Sequence, residues 1–163
     1  MTDFRWLSAR EQEVWRAYLA ATGAFSEHLD RQLQRDSGMP LAYYEILVAL
    51  SEAPGRSMRM SQLADVCRSS RSRLSHAVAR LEDQGWVCRR ACESDKRGSV
   101  AELTDRGFAA LREAAPGHVG AVRKHLFDVL TPEQVAVLGE ISAAIQLGLA
   151  AVCEKARAEL QEF

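Results

Sequence analysis

The chain has 163 residues, 47% hydrophobic and 26% charged, which is enough length and apolar content for one domain with a proper core. Its formal net charge of −1 excludes a bulk attraction to nucleic acid, but the charge is segregated. Residues 56–98 carry ten Arg or Lys against five Asp or Glu, a balance of +5 that leaves −6 on the remainder. No apolar run reaches the length of a membrane helix and no signal peptide opens the chain, so a cytoplasmic protein with no membrane partner is expected.

In chain order, Ser8 and Glu11 form a capping-box pattern and no proline follows until Pro40, which predicts a long first helix. Trp15, Tyr18, Leu19, Thr22, Phe25, Leu29 and Leu33 recur along it at three- and four-residue steps, and Gly38 is suited to end it. Phe4, Trp6 and Leu7 are too apolar for a free tail and are expected to dock, most simply on a second copy. Pro40 to Glu52 reads as a second helix with Tyr43, Ile46, Leu47 and Leu50 facing inward. The turn APGRS then leads to Met58, Arg59 and Met60, a candidate short strand.

The stretch from Ser61 to Thr104 carries the chemistry. Ser61 is expected to cap a short helix packed by Leu63, Ala64 and Val66. Ser69 or Ser70 then caps a second helix that runs toward Gly85, in which Leu74, Val78 and Leu81 form one apolar stripe. Its other face gathers Arg71, Ser72, Arg73, Ser75, His76 and Arg80. Arginine can fork onto guanine O6 and N7, while serine and histidine serve base edges or phosphates. Two extended runs follow, WVCRRA and SVAEL, with ESDKRG as the tip between them. Arg89 and Arg90 lie on the outgoing strand, and Lys96 and Arg97 make a cationic tip of the kind that enters a minor groove. Asp95 opposes DNA and is expected to brace the tip by pairing with a local arginine. Helix, turn, helix and charged hairpin have the layout of a winged helix-turn-helix. The expected double-stranded DNA contacts are Ser70, Arg71, Ser72, Arg73, Ser75, His76, Arg80, Arg89, Lys96 and Arg97. An ordinary solvated helix and hairpin could cluster the same charges, but the adjacency of the two elements weighs against it.

Beyond the hairpin, Thr104 is placed to cap a helix beginning TDRGFAALREAA. Pro116 and Gly117 either split or kink it, since Val119, Val122, Leu126, Phe127 and Leu130 carry the periodicity on. TPEQ starts the last helix, with Thr131 as N-cap, Pro132 at the first position and a Glu at the third. Its stripe of Leu138, Ile141, Ile145 and Leu149 needs a partner, so the two ends of the chain are expected to form a homodimer layer together with Phe4, Trp6 and Leu7. The expected fold class is mainly α with a small β-hairpin wing, a winged helix-turn-helix (39–104) flanked by dimerisation helices (1–38 and 105–163) in one continuous fold.

Cys67, Cys88, Cys92 and Cys153 have no zinc-ligand spacing and read as reduced thiols. Cys88 and Cys92 would lie about 13 Å apart on one strand, too far to bridge. No nucleophile–base pair, phosphate-cradling glycine loop or metal box is present in the sequence, so neither an enzyme nor a cofactor or metal is expected.

The segment from Ala64 through Arg90, the wing SDKRGSVAELTDRG and the LTPEQ start of the last helix resemble MarR-type transcriptional regulators over nearly the whole chain. The most specific parts are Asp95-Lys96-Arg97-Gly98 and the LTDRG that follows, Leu103 to Gly107. The resemblance implies an obligate homodimer with recognition helices in successive major grooves and wings in the flanking minor grooves. By position, Arg97 is the wing arginine and Asp95 its bracing acid. It also implies a repressor of a palindromic operator, released when a small aromatic ligand binds between the dimer and DNA-binding layers. Trp15, Tyr18, Tyr43 and Tyr44 offer an aromatic lining there, with core packing as their plainer role. Some such regulators sense peroxide through a cysteine in the first helix. This chain has none there, and its histidines (28, 76, 118 and 125) are too scattered for the zinc-responsive branch. A redox-responsive regulator acting through another cysteine and a winged-helix adaptor for proteins are the alternatives.

Overall fold

The computed structural model describes residues 4–92 and 95–159, with side chains for 4–91 and 98–150. Among the described residues the chain forms six α-helices and one three-stranded antiparallel sheet. It divides into two compact units, Met1–Ala121 and Val122–Phe163.

In the first unit, α1 (Ala9–Ser37) begins with a closed capping box: Ser8 Oγ accepts from the Glu11 N–H at 3.3 Å, and the Ser8 N–H donates to Glu11 Oε2 at 2.7 Å. These bonds hold the Glu11 carboxyl below the usual range. Gly38 ends the helix at φ 62°, a left-handed conformation that glycine adopts without a Cβ penalty. The cap of α2 (Leu41–Glu52) is not local, because Pro40 offers no side-chain bond. Asp30 of α1 supplies it, accepting from the Leu41 N–H at 2.8 Å. This ties the two helices together where they meet.

A 3-10 turn (Pro54–Arg56) leads to β1 (Ser57–Arg59), α3 (Met60–Val66) and α4 (Arg71–Asp83). The hairpin is β2 (Val87–Cys92) and β3 (Asp95–Leu103), in sheet order β1-β3-β2. Leu33, Leu47, Leu50, Leu63, Leu74, Val78, Leu81, Val87, Ala101 and Leu103 form one buried cluster that joins α1 to α4 and the sheet. Burying each large aliphatic side chain contributes about 2 kcal/mol, so this cluster fixes how α4 sits on the hairpin. α5 (Asp105–Val122) runs through Pro116 without a break.

Several expectations change. Ser61 does not cap α3. β1 pairs with β3 as far as Arg59–Val100 and the helix starts at once, leaving Ser61 in its first turn. Val66 is 57% exposed, because α3 ends there and only Leu63 and Ala64 point into the core. Tyr44 is buried and Tyr43 only half so. The tip expected from ESDKRG is instead largely strand. Ala91 pairs with Ser99 but Cys92 with Asp95, so Lys96, Arg97 and Gly98 form a bulge within β3.

The second unit begins with a π-helical turn (Arg123–Phe127), where the Asp128 N–H reaches the Arg123 carbonyl at 2.8 Å. In α6 (Pro132–Glu159), Gln134, not Glu133, occupies the third position and closes the capping box with Thr131 through bonds of 2.9 and 3.3 Å. Leu138, Ile141, Ile145 and Leu149 lie on α6 with 36 to 60% of their surface exposed. Among the described residues, no helix is long and apolar enough to cross a membrane.

Candidate nucleic-acid interface

The turn before α4 is tight. Arg68 takes a left-handed φ of 48°, and the Ser69 N–H reaches back to the Ala64 carbonyl at 2.9 Å. Ser70 is the N-cap, its Oγ accepting from the Arg73 N–H at 3.3 Å. Leu74, Val78 and Leu81 are fully buried, so the helix cannot rotate, and Arg71, Ser72, Arg73, His76 and Arg80 are held in solvent on the opposite face. Ser75 lies half-buried at the edge. Tyr43 joins this face, lining a shallow cleft with Arg73, His76 and Arg80.

Where α4 meets the sheet, Arg59, Ser61, Arg71, Ser75, Arg89 and Ser99 line a cleft of about 400 Å³. With Arg71, the three hydroxyls and the flanking Arg59 and Arg89, whose guanidinium is shared with Glu82, this concavity can serve as an anion seat. The Arg89 backbone N–H donates to Glu82 Oε1 at 2.9 Å and its guanidinium pairs with the same carboxylate, which anchors β2 to the end of α4. Arg90 pairs with Glu102 across the hairpin at 3.0 Å. Asp95, Lys96 and Arg97 lie on the backbone of β3, but their side chains fall outside the described residues.

The base of the wing is clamped by one side chain. Thr104 Oγ1 donates to the Gly85 and Trp86 carbonyls at 2.7 and 3.1 Å and accepts from the Gly107 N–H at 3.0 Å. Gly107 must be glycine, because a Cβ there would lie 2.0 Å from the Trp86 carbonyl oxygen. Arg56 stacks on Phe108 at 3.8 Å and pairs with Asp105 at 3.2 Å, covering the start of α5.

The four aromatics expected to line a ligand pocket occupy three places. Trp15 and Tyr18 stack on each other on an exposed part of α1, with centroids 6.2 Å apart. Tyr43 lies beside the basic face of α4. Tyr44 alone reaches a cavity of about 640 Å³, which it lines with Glu45, Cys67, Arg68 and His118. Its ring packs on His118 at 4.4 Å. Burial pushes the Tyr44 hydroxyl and the Glu45 carboxyl up and the His118 imidazole down; burial, then the Glu45 charge, raises the Cys67 thiol. Sequence periodicity gave no sign of Arg68 or His118, which converge from elements far apart in the chain.

A family model described as the MarR family matches residues 37–98. The crystal structure of Sco3205, a MarR family transcriptional regulator from Streptomyces coelicolor in complex with DNA, is 57% identical, covers 91% of this chain and 93% of that one, and superposes with a TM-score of 0.87. The chain belongs to the MarR family. AbsC, a MarR family regulator from the same organism, is 42% identical over 91% of this chain and 99% of its own, with a TM-score of 0.84. The transcriptional repressor MprA of Escherichia coli (strain K12) is 28% identical over 85 residues, 52% of this chain, and the chain spans about half the length of that relative. The MarR-type motifs have physical reasons here: the glycine of LTDRG lets α5 approach the Trp86 carbonyl, and its threonine closes the wing.

Proposed function

We propose that this MarR-family chain is a cytoplasmic, homodimeric repressor that binds an inverted-repeat operator in double-stranded DNA and is released by a small aromatic acid. The observation that carries DNA binding is the union of the α4 face (Arg71, Arg73, His76 and Arg80) with the anion seat of Arg59, Ser61, Arg71, Ser75 and Arg89. The first can read base edges while the second holds a backbone phosphate. The DNA complex of Sco3205, alike over nearly its whole length, supports this reading. Lys96 and Arg97 of the bulged wing are assigned to the minor groove, with Asp95 as their brace. The exposed stripe of α6, Leu138, Ile141, Ile145 and Leu149, and the exposed Phe4, Trp6 and Leu7 are assigned to the partner chain.

For the effector, the cavity beside Tyr44 has the volume of a small-molecule site, an aromatic ring for stacking and the Arg68 guanidinium for a carboxylate. The raised Cys67 thiol disfavours the thiolate that redox sensing needs, which weighs against that alternative at this residue. Arg71→Ala tests the assignment to base readout. Loss of a guanine fork costs about 1–3 kcal/mol and relaxes preference at one symmetric operator position. Equal weakening on every duplex would reduce Arg71 to a phosphate contact.

A further inference from the structure

Glu82 grips the wing with both carboxylate oxygens. Its Oε1 accepts the Arg89 backbone N–H at 2.9 Å, and its Oε2 takes the Arg89 guanidinium. We propose that Glu82 is a specificity-determining positioning residue: it fixes Arg89 in the cleft beside α4, so that this arginine serves a phosphate only where a duplex fits α4 and the wing together. The inference rests on the DNA-binding reading above. It gives an acid that need not touch DNA a part in choosing the operator.

Both ends of the clamp are set by buried neighbours. Leu81 is fully buried, which fixes the last turn of α4. Glu82 follows Arg71 and Ser75 at helical spacing, and those two line the cleft together with Arg89. On β2, Arg89 shares a strand face with the buried Val87, so its side chain starts toward α4. β2 is an edge strand in the order β1-β3-β2, and Glu82 fills the outward N–H that the edge would leave open at Arg89. With side chains 35% and 27% exposed, the pair is more enclosed than the other ion pairs among the described residues. It is therefore not one of the loose surface contacts that contribute little. An arginine on a free stem can follow any phosphate and adds affinity to every duplex. Held by Glu82, its charge is offset and its remaining N–H groups point one way. Little ordering is then left to do on a duplex that fits, and little is gained on one that does not.

Glu82→Gln keeps an oxygen for the Arg89 N–H and removes the charge that holds the guanidinium. Binding of the full chain is measured by fluorescence anisotropy over a salt series, on a duplex that the wild-type chain selects from a random library and on a scrambled duplex of equal length. The variant is expected to bind the scrambled duplex about threefold tighter or more, with a log–log salt slope steeper by about one. Its selected-to-scrambled affinity ratio should fall by about fivefold or more. In an Arg89→Ala background the same substitution should leave the ratio within about twofold, since no guanidinium remains to be released. Asp83→Asn makes the same charge change one residue on, where the pair with Arg80 is exposed and 3.7 Å long, and should leave the ratio unchanged. An unchanged ratio in Glu82→Gln, an equal fall in the Arg89→Ala background or an equal fall in Asp83→Asn would overturn the proposal. Parallel weakening on both duplexes with a lower urea midpoint would also overturn it, by reducing Glu82 to a purely structural contact. A wild-type chain that prefers no duplex would instead sink the DNA-binding reading itself, and this proposal with it.

Discussion

Gly107 sits where two backbones touch. A methyl group there would lie 2.0 Å from the Trp86 carbonyl oxygen and 2.8 Å from Leu103 Cδ1, and backbone cannot step aside as a flexible side chain can. Alanine is the better helix former by about 1 kcal/mol, yet the clash dominates. Gly107→Ala therefore destabilises the protein by about 2 kcal/mol or more in urea unfolding; an unchanged midpoint would show that α5 can shift away. The LTDRG motif was readable from the sequence, but the demand for glycine was not, because it is set by a carbonyl 21 residues away. Tyr43 and Tyr44 teach the same limit. Neighbouring helical residues differ by about 100° in direction, and only packing decides which of them reaches the cavity and which the basic face.

At the scale of elements, α4 was legible because three apolar residues at helical spacing leave one outward face, and burial of Leu74, Val78 and Leu81 confirms that face. The start of α3 was not, since the pairing of β1 with β3 rather than a serine cap sets it. Nor was the wing bulge, because nothing in ESDKRG distinguishes a loop from a strand that skips three residues. The cap of α2 came from Asp30 on another helix, a donor–acceptor match that no local pattern contains. Thr104 is the hinge pin among these elements, bonding to the turn after α4 and to the first turn of α5. Thr104→Val keeps the shape but leaves the Gly107 N–H unpaired, at a cost of about 1–3 kcal/mol. Because the loss falls at the wing base, hydrogen exchange in β2 and β3 should rise more than in α1. A uniform rise over the unit would mean that Thr104 acts only as a generic cap.

For the molecule as a whole, the charge division visible in composition becomes a surface. Basic residues gather on α4 and the sheet, while one side of α6 exposes Val137, Leu138, Ile141, Ile145 and Leu149. Such a stripe is costly in water, and the proposed homodimer would cover it. Ile145→Glu places a charge in that seam, and burial of an unpaired carboxylate is expensive. Sedimentation should then report aggregated chain or a monomer that binds DNA weakly; an intact dimer with native affinity would move the interface elsewhere. The proposed two-fold dimer would present its α4 helices to neighbouring major grooves. Selection of bound duplexes from a random library, followed by footprinting, tests it most directly. The expected outcome is one enriched inverted repeat with half-sites about 10 base pairs apart, centre to centre, and protection symmetric about its middle. Recovery of no preferred sequence, or of a tandem or asymmetric site, would contradict it.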